Sequence, residues 1–172
     1  GEQLWAAQFH DPYGTLFAPV SLPAEPQLGW QAEIPGGPSG GPVVAADGTV
    51  YIAGRANVLL AFSPQGELRW QVSLTGTPVG TPALDAQGHI YLSDTRGHVS
   101  AFDPQGQLLW DVEASSTREA TSGPVVGPSG MVYVTLIDAV VGISPQGVLT
   151  WRKTAADTYI DVPPTLNADE TL

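Results

Sequence analysis

Tryptophan recurs along this chain at near-constant intervals: Trp30, Trp70, Trp110 and Trp151 are spaced by 40, 40 and 41 residues. The last three each close one phrase, Ser63-Pro64-Gln65-Gly66-Glu67-Leu68-Arg69-Trp70, Asp103-Pro104-Gln105-Gly106-Gln107-Leu108-Leu109-Trp110 and Ser144-Pro145-Gln146-Gly147-Val148-Leu149-Thr150-Trp151. Other positions keep step: Pro42, Pro82 and Pro124, then Gly48-Thr49-Val50-Tyr51, Gly88-His89-Ile90-Tyr91 and Gly130-Met131-Val132-Tyr133. A fixed period of this length marks one supersecondary unit copied and stacked, because a lone copy cannot bury both of its faces.

Each period divides into four short β segments. The first follows the proline (Val43–Ala45, Ala83–Asp85, Val125–Gly127) and the second follows a glycine turn (Val50–Ala53, Ile90–Ser93, Val132–Leu136). The third is Val58–Phe62, Val99–Phe102 or Val140–Ile143, and the fourth carries the tryptophan (Leu68–Val72, Leu108–Val112, Leu149–Lys153). These segments are rich in Val, Ile, Tyr and Trp and are bounded too closely by turn residues to be helices. Between the second and third segments the aligned residues are Asn57, Gly97 and Asp138. All three tolerate the left-handed backbone that tight hairpin turns use. Between the third and fourth, proline presets φ and glycine accepts positive φ later in the turn. Four antiparallel strands repeated about every 40 residues predict an all-β fold, a β-propeller of four-stranded blades.

The phrases Ala61–Trp70 and Ala101–Trp110 resemble the tryptophan-docking motif of the quinoprotein-like (PQQ-like) propeller repeats: alanine, a carboxylate two residues on, glycine, and tryptophan four residues after the glycine. Asp103 matches the carboxylate, Ser63 and Ser144 replace it, and Gly142 replaces the alanine. The resemblance implies that Trp30, Trp70, Trp110 and Trp151 pack between blades against a glycine backbone and the small residues Ala61, Ala101 and Gly142.

Two stretches depart from the pattern. Gly1–Trp5 reads as the end of an earlier repeat, yet Trp5 and Trp30 are 25 residues apart. Residues 1–29 are therefore expected to hold that end plus a proline-rich linker or degenerate blade. Residues 30–172 hold the repeats, with periods of about 30–70, 71–110 and 111–151 and a partial copy over 152–172. Pro164–Leu172 aligns with Pro42–Val50, so a fourth copy begins. Three complete copies do not close a ring of about four to eight blades, so the expectation is a piece of a larger propeller; closure by a partner chain is the alternative. A start at Gly1 reads as a mature product or an excised piece.

Composition excludes several functions. Seventeen carboxylates face six Lys and Arg, a net charge of −11. Six scattered cations cannot build the basic face that nucleic acid or an anionic membrane requires. Absence of cysteine removes disulfides, thiolate metal sites, cysteine nucleophiles and the vicinal cysteine pair often found beside the quinone in quinoprotein dehydrogenases. It also removes a lipid-bearing cysteine. No stretch reaches the length of an apolar membrane span.

Signs of catalysis are sparse. The histidines His10, His89 and His98 come without partners at metal or triad spacing and read as exposed turn residues. Asp47, Asp85, Asp94, Asp103 and Asp138 read as turn formers, since none sits in a dense acidic calcium loop. Gly36–Gly41 lacks the lysine and following helix of a phosphate loop and reads as a connection between blades. No position can be assigned to a quinone or a calcium ion, so neither cofactor is expected, although PQQ with calcium fits the wider family.

In a four-stranded meander alternate loops share a face. The turns at Gly48, Gly88 and Gly130 are expected beside the Pro-Gln-Gly turns. The hairpin tips near 55–57, 95–98 and 136–139 are expected beside the connections 33–41, 74–81 and 113–123. The second face varies most between copies, and variation on a constant scaffold is where function tends to sit. Arg55, Arg96 and Arg118 are candidate anchors there for a protein partner. The resulting expectation is a non-catalytic scaffold of an exported, periplasmic or cell-envelope assembly. The resemblance includes an outer-membrane assembly lipoprotein that binds a partner through propeller loops. An extracellular ligand sensor and a remnant of a quinone-dependent dehydrogenase are the alternatives.

Overall fold

A computed structural model describes residues 27–115, 119–155, 160 and 162–166. Among them every regular element is a strand, and no helix is long and apolar enough to cross a membrane. The first sheet comprises β1 (Val43–Val44), β2 (Val50–Gly54), β3 (Val58–Phe62) and β4 (Leu68–Ser73). The second comprises β5 (Pro78–Leu84), β6 (Ile90–Asp94), β7 (His98–Phe102) and β8 (Leu108–Glu113). The third comprises β9 (Val125–Val126), β10 (Val132–Leu136), β11 (Ala139–Ile143) and β12 (Leu149–Thr154). Each is an antiparallel meander paired in chain order. All-β architecture in repeated four-stranded blades is thus the fold, and the three described sheets do not close into a ring.

Burial explains the sequence of the inner strands. All five residues of β3 are buried, because both faces of the sheet are covered. Leu59 and Ala61 pack with Leu84, Ile90, Leu92 and Phe102 of the second sheet. Val58, Leu60 and Phe62 pack with Trp30 and Ile34 on the other side. The second and third sheets share a cluster in the same way, Tyr91, Val99 and Ala101 against Val132, Val134 and Val141. The core therefore lies between blades. Each fully buried Val or Leu contributes about 1.5–3 kcal/mol, so a blade removed from its neighbours loses most of its stabilisation.

Neighbouring sheets meet through β1, β2, β5 and β9, so they converge at their first strands and splay at their fourth. The fourth strands alternate between exposed and half-buried residues. Backbones approach closely where the sheets converge. A Cβ on Gly40 would lie 2.3 Å from the Gly80 carbonyl carbon, one on Gly80 2.4 Å from the Gly123 nitrogen, and one on Gly123 2.1 Å from the Thr81 oxygen. Ser39 Oγ donates to Gly80 O at 3.2 Å, and the Gly41 amide donates to Thr81 Oγ1 at 2.9 Å. The inner seam therefore requires residues without a side chain.

One expectation about turns is corrected. Asn57 (φ 59°) and Gly97 (φ 79°) adopt the left-handed backbone, but Asp138 does not. In the third sheet Leu136 pairs with Ala139, leaving a two-residue turn, whereas Gly54 pairs with Val58 across three. The hairpin is one residue shorter, and its missing residue is the left-handed one.

Candidate interlock and loop rim

Trp70 and Trp110 each bridge two blades. Trp70 sits opposite Ala61 in the β3–β4 ladder and lies on Tyr51 with ring centroids 5.7 Å apart. Its Nε1–H reaches the next blade and donates to Pro104 O at 3.0 Å. Trp110 repeats this, opposite Ala101, 5.8 Å from Tyr91, donating to Pro145 O at 3.0 Å. Trp30 lies 5.7 Å from Phe62 and donates to Pro64 O at 3.0 Å. The receiving turns need glycine twice over. Gly66, Gly106 and Gly147 have φ of 85°, 83° and 78°. A Cβ on each would lie 2.5, 3.0 and 2.7 Å from the docked indole. Gly142 faces Trp151 within its own sheet, where a Cβ would lie 2.4 Å from the indole.

Local chemistry explains why serine can stand for aspartate in the phrase. Asp103 Oδ1 accepts the amides of Gln105 (2.9 Å) and Gln107 (2.8 Å). Ser63 Oγ accepts those of Gln65 and Glu67, both at 3.2 Å. An oxygen at this position caps the turn in either form.

The loops divide between two faces. A Cβ on Gly48 or Gly130 would touch the ring of Pro64 or Pro145, at 2.8 and 3.0 Å, so those turns lie together. On the other face the hairpin tips are tied to the connections between blades. The Arg55 amide donates to Gly37 O (2.9 Å), that of Thr95 to Thr77 O (3.0 Å) and that of Ile137 to Glu119 O (3.1 Å). Arg55 is exposed, and its guanidinium has no hydrogen-bond partner among the described residues. Arg96 is exposed and donates to Thr75 O at 3.0 Å. Arg118 lies outside the described residues, as do His10, Trp5 and the proline-rich stretch 12–26.

The other two histidines are not the free turn residues that the sequence suggests. His89 Nδ1 lies 2.7 Å from Asp85 Oδ2, and His98 Nδ1 lies 2.8 Å from Asp111 Oδ1. Asp85 is buried, and its carboxylate lies within hydrogen-bond distance of the amides of Gln87 and His89 at 2.9 Å, of His89 Nδ1, and of Tyr91 Oη at 2.9 Å. Burial first, and then this bond to the Asp85 carboxylate, pushes the Tyr91 phenol well above its usual range. Alignment hides the cluster, because the equivalents of Asp85 are Ala45 and Gly127.

A concavity of about 610 Å³ opens where the first two sheets converge, lined by Ser39, Gly40, Gly41, Pro42, Val44, Gly80 and Thr81. None of these carries a charge. A calcium-held quinone with several carboxylates needs cations and carboxylate ligands, so these residues do not fit one. Among the described residues no three His, Asp or Glu side chains converge as a metal-binding group.

Comparison with known proteins agrees with the repeated four-stranded architecture. The structure of BamB from Moraxella catarrhalis superposes with a TM-score of 0.63 at 16% identity, over 73% of this chain and 40% of that one. The chain therefore spans well under half the length of that protein, and at this identity the likeness concerns the fold. No curated protein sequence matches. A family profile described as outer membrane protein assembly factor BamB matches residues 1–158. That match covers most of the 172 residues, and with the docked indoles and repeated blades it places the chain in this PQQ-like repeat family.

Proposed function

We propose that this chain is a non-catalytic, protein-binding segment of a propeller serving a cell-envelope assembly, with the periplasm as its compartment. The observation that carries the reading is the family match over residues 1–158, whose description points to outer membrane protein assembly. The geometry supports it. Carboxylates and hydroxyls of the described residues cap turns, as Asp103 and Ser63 do, pair within a blade, as Asp111 does with His98, or join neighbouring blades, as Ser39 and Ser93 do, and the concavity carries no charged group. A regular scaffold thus holds a variable rim. Arg55, Arg96 and Arg118 are its proposed anchors, each able to fork onto a carboxylate or backbone carbonyl of a protein partner. No cofactor is assigned.

Photo-crosslinkers placed singly at Arg55, Arg96 and Gln105 test this in an envelope extract. The expected result is one shared protein adduct from positions 55 and 96, none from 105 on the opposite face, and loss of the adduct when the other two of Arg55, Arg96 and Arg118 are changed to Glu. Equal adducts from both faces would contradict the reading. So would saturable quenching of tryptophan emission by the quinone with calcium.

A further inference from the structure

The second blade places a buried carboxyl behind its docked tryptophan. Asp85 has Ala45 and Gly127 as counterparts in the other two blades. Its Oδ1 takes the amides of Gln87 and His89, which fixes the carboxylate to its own turn. Its Oδ2 is shared: His89 Nδ1 lies 2.7 Å away, and Tyr91 Oη donates to it at 2.9 Å. The Tyr91 ring lies 5.8 Å from that of Trp110, whose Nε1–H donates to Pro145 O of the third blade. A line of contacts thus runs from an imidazole to the grip between two blades. Its outer end is open to water, since the His89 side chain is 33% exposed against 9% for Asp85.

We infer that His89 makes this grip responsive to pH: the second and third blades lock more firmly when the imidazole gains a proton and loosen when it loses one. A proton on His89 turns a neutral hydrogen bond to a buried carboxylate into a charge-assisted one, about twice as strong. It also gives the buried charge a partner. Because two amides hold Oδ1, the carboxylate cannot swing away from Tyr91 when the imidazole pulls on Oδ2. A firmer Asp85 therefore holds Tyr91, and Tyr91 holds Trp110. Asp85 and Tyr91 are the titratable groups that meet His89 among the described residues. Where Arg69 reaches Thr49 in the first blade, the second has Leu109 and His89. Strand β5 carries no charge, nor do the third-blade turns Gly127–Met131 and Ser144–Val148, and Asp103 binds the amides of its own turn. The first junction lacks the device. Its Tyr51 has Thr49 where Tyr91 has His89, and the neighbouring Asp47 is held below the usual carboxylate range by Thr49 and Arg69.

Trp70 is therefore an internal reference for Trp110. Indole N–H exchange varies with pH by itself, so the quantity to read is the protection of Trp110 relative to Trp70, each assigned by its Trp→Phe variant. From about pH 8 to 5.5, the span in which imidazoles titrate, this ratio should rise about threefold. Its midpoint should coincide with the titration of the His89 ring Cε1–H signal. His89→Gln and Tyr91→Phe should each flatten the rise, the first by removing the titrating group and the second by cutting the link to Trp110. His98→Gln should leave it intact, although His98 also pairs with a carboxylate, that of Asp111. A flat ratio in the unaltered chain, or a midpoint away from that of His89, would overturn the inference; neither reading depends on a variant that folds. A rise that survives Tyr91→Phe would overturn the relay, and one lost in His98→Gln alone would move the device to the other pair.

Discussion

At the scale of single residues, the interlock depends on the absence of a side chain in the receiving turn. Gly106→Ala must both strain a backbone at φ 83° and press a methyl 3.0 Å from the Trp70 ring. A loss of about 1–3 kcal/mol is expected, read as a lower denaturation midpoint at unchanged slope. Gly88 tests the specificity of the effect. Its φ is 84°, but a Cβ there would lie 3.5 Å from Pro104, an ordinary contact, so Gly88→Ala meets the backbone strain alone and should cost less. Tyr91 makes a prediction about pH. Its phenol is held protonated above the usual range by burial and by Asp85, so the folded state keeps a proton that the unfolded chain releases from about pH 10. Stability is therefore full below that pH and falls as the pH rises through it. Tyr91→Phe should flatten this alkaline decline in a denaturation series from pH 8 to 11. Asp47 acts in the acid range. The Thr49 amide and hydroxyl, with Arg69, hold its carboxyl below the usual value. Its contribution is present above the unfolded pKa and lost as the pH falls, and it is small because Asp47 is mostly exposed.

At the scale of elements, strand positions were legible in the sequence because the inner strands are buried on both faces and bounded by turn residues. Segments read as Val58–Phe62 and Ile90–Ser93 match β3 and β6 to within a residue. The first strand of the second blade extends to Pro78, beyond its expected start at Ala83, with a register shift between Val79 and Ala83. Gly80, Thr81 and Pro82 lie between them, and proline cannot donate to the ladder. The turn at Asp138 was misread because alignment matched residue types across hairpins of different length. Asn57 provides an element-level test. It sits at φ 59° and accepts a hydrogen bond from Thr77 Oγ1 at 2.9 Å. Asn57→Gly relieves the backbone but loses that bond, and a change within about 1 kcal/mol is expected. Asn57→Val loses both, and a cost above about 2 kcal/mol should appear in thermal unfolding. Equal effects of the two would show that the turn is not strained.

At the scale of the whole molecule, the repeat carried the fold, while the seam and the buried Asp85 cluster stayed hidden. Trp70 and Pro104 belong to one recurrent phrase, so their meeting could be anticipated from register. Gly40, Gly80 and Gly123 meet because the sheets converge, and no shared motif announces it. The rim was legible only as the face whose loops vary between copies; the ties of its hairpin tips to the connections, such as the Arg55 amide to Gly37 O, were not, because no repeated motif marks them. Interlocked blades are the central claim, because the rim is held in place only if each sheet grips the next. A double-mutant cycle in equilibrium denaturation tests this most directly, pairing Trp70→Ala with Gly106→Ala and, as control, with Gly147→Ala, the turn that receives Trp110. Interlocking predicts a coupling above about 0.5 kcal/mol for the first pair and additivity within about 0.3–0.5 kcal/mol for the control. Additivity in both would contradict it.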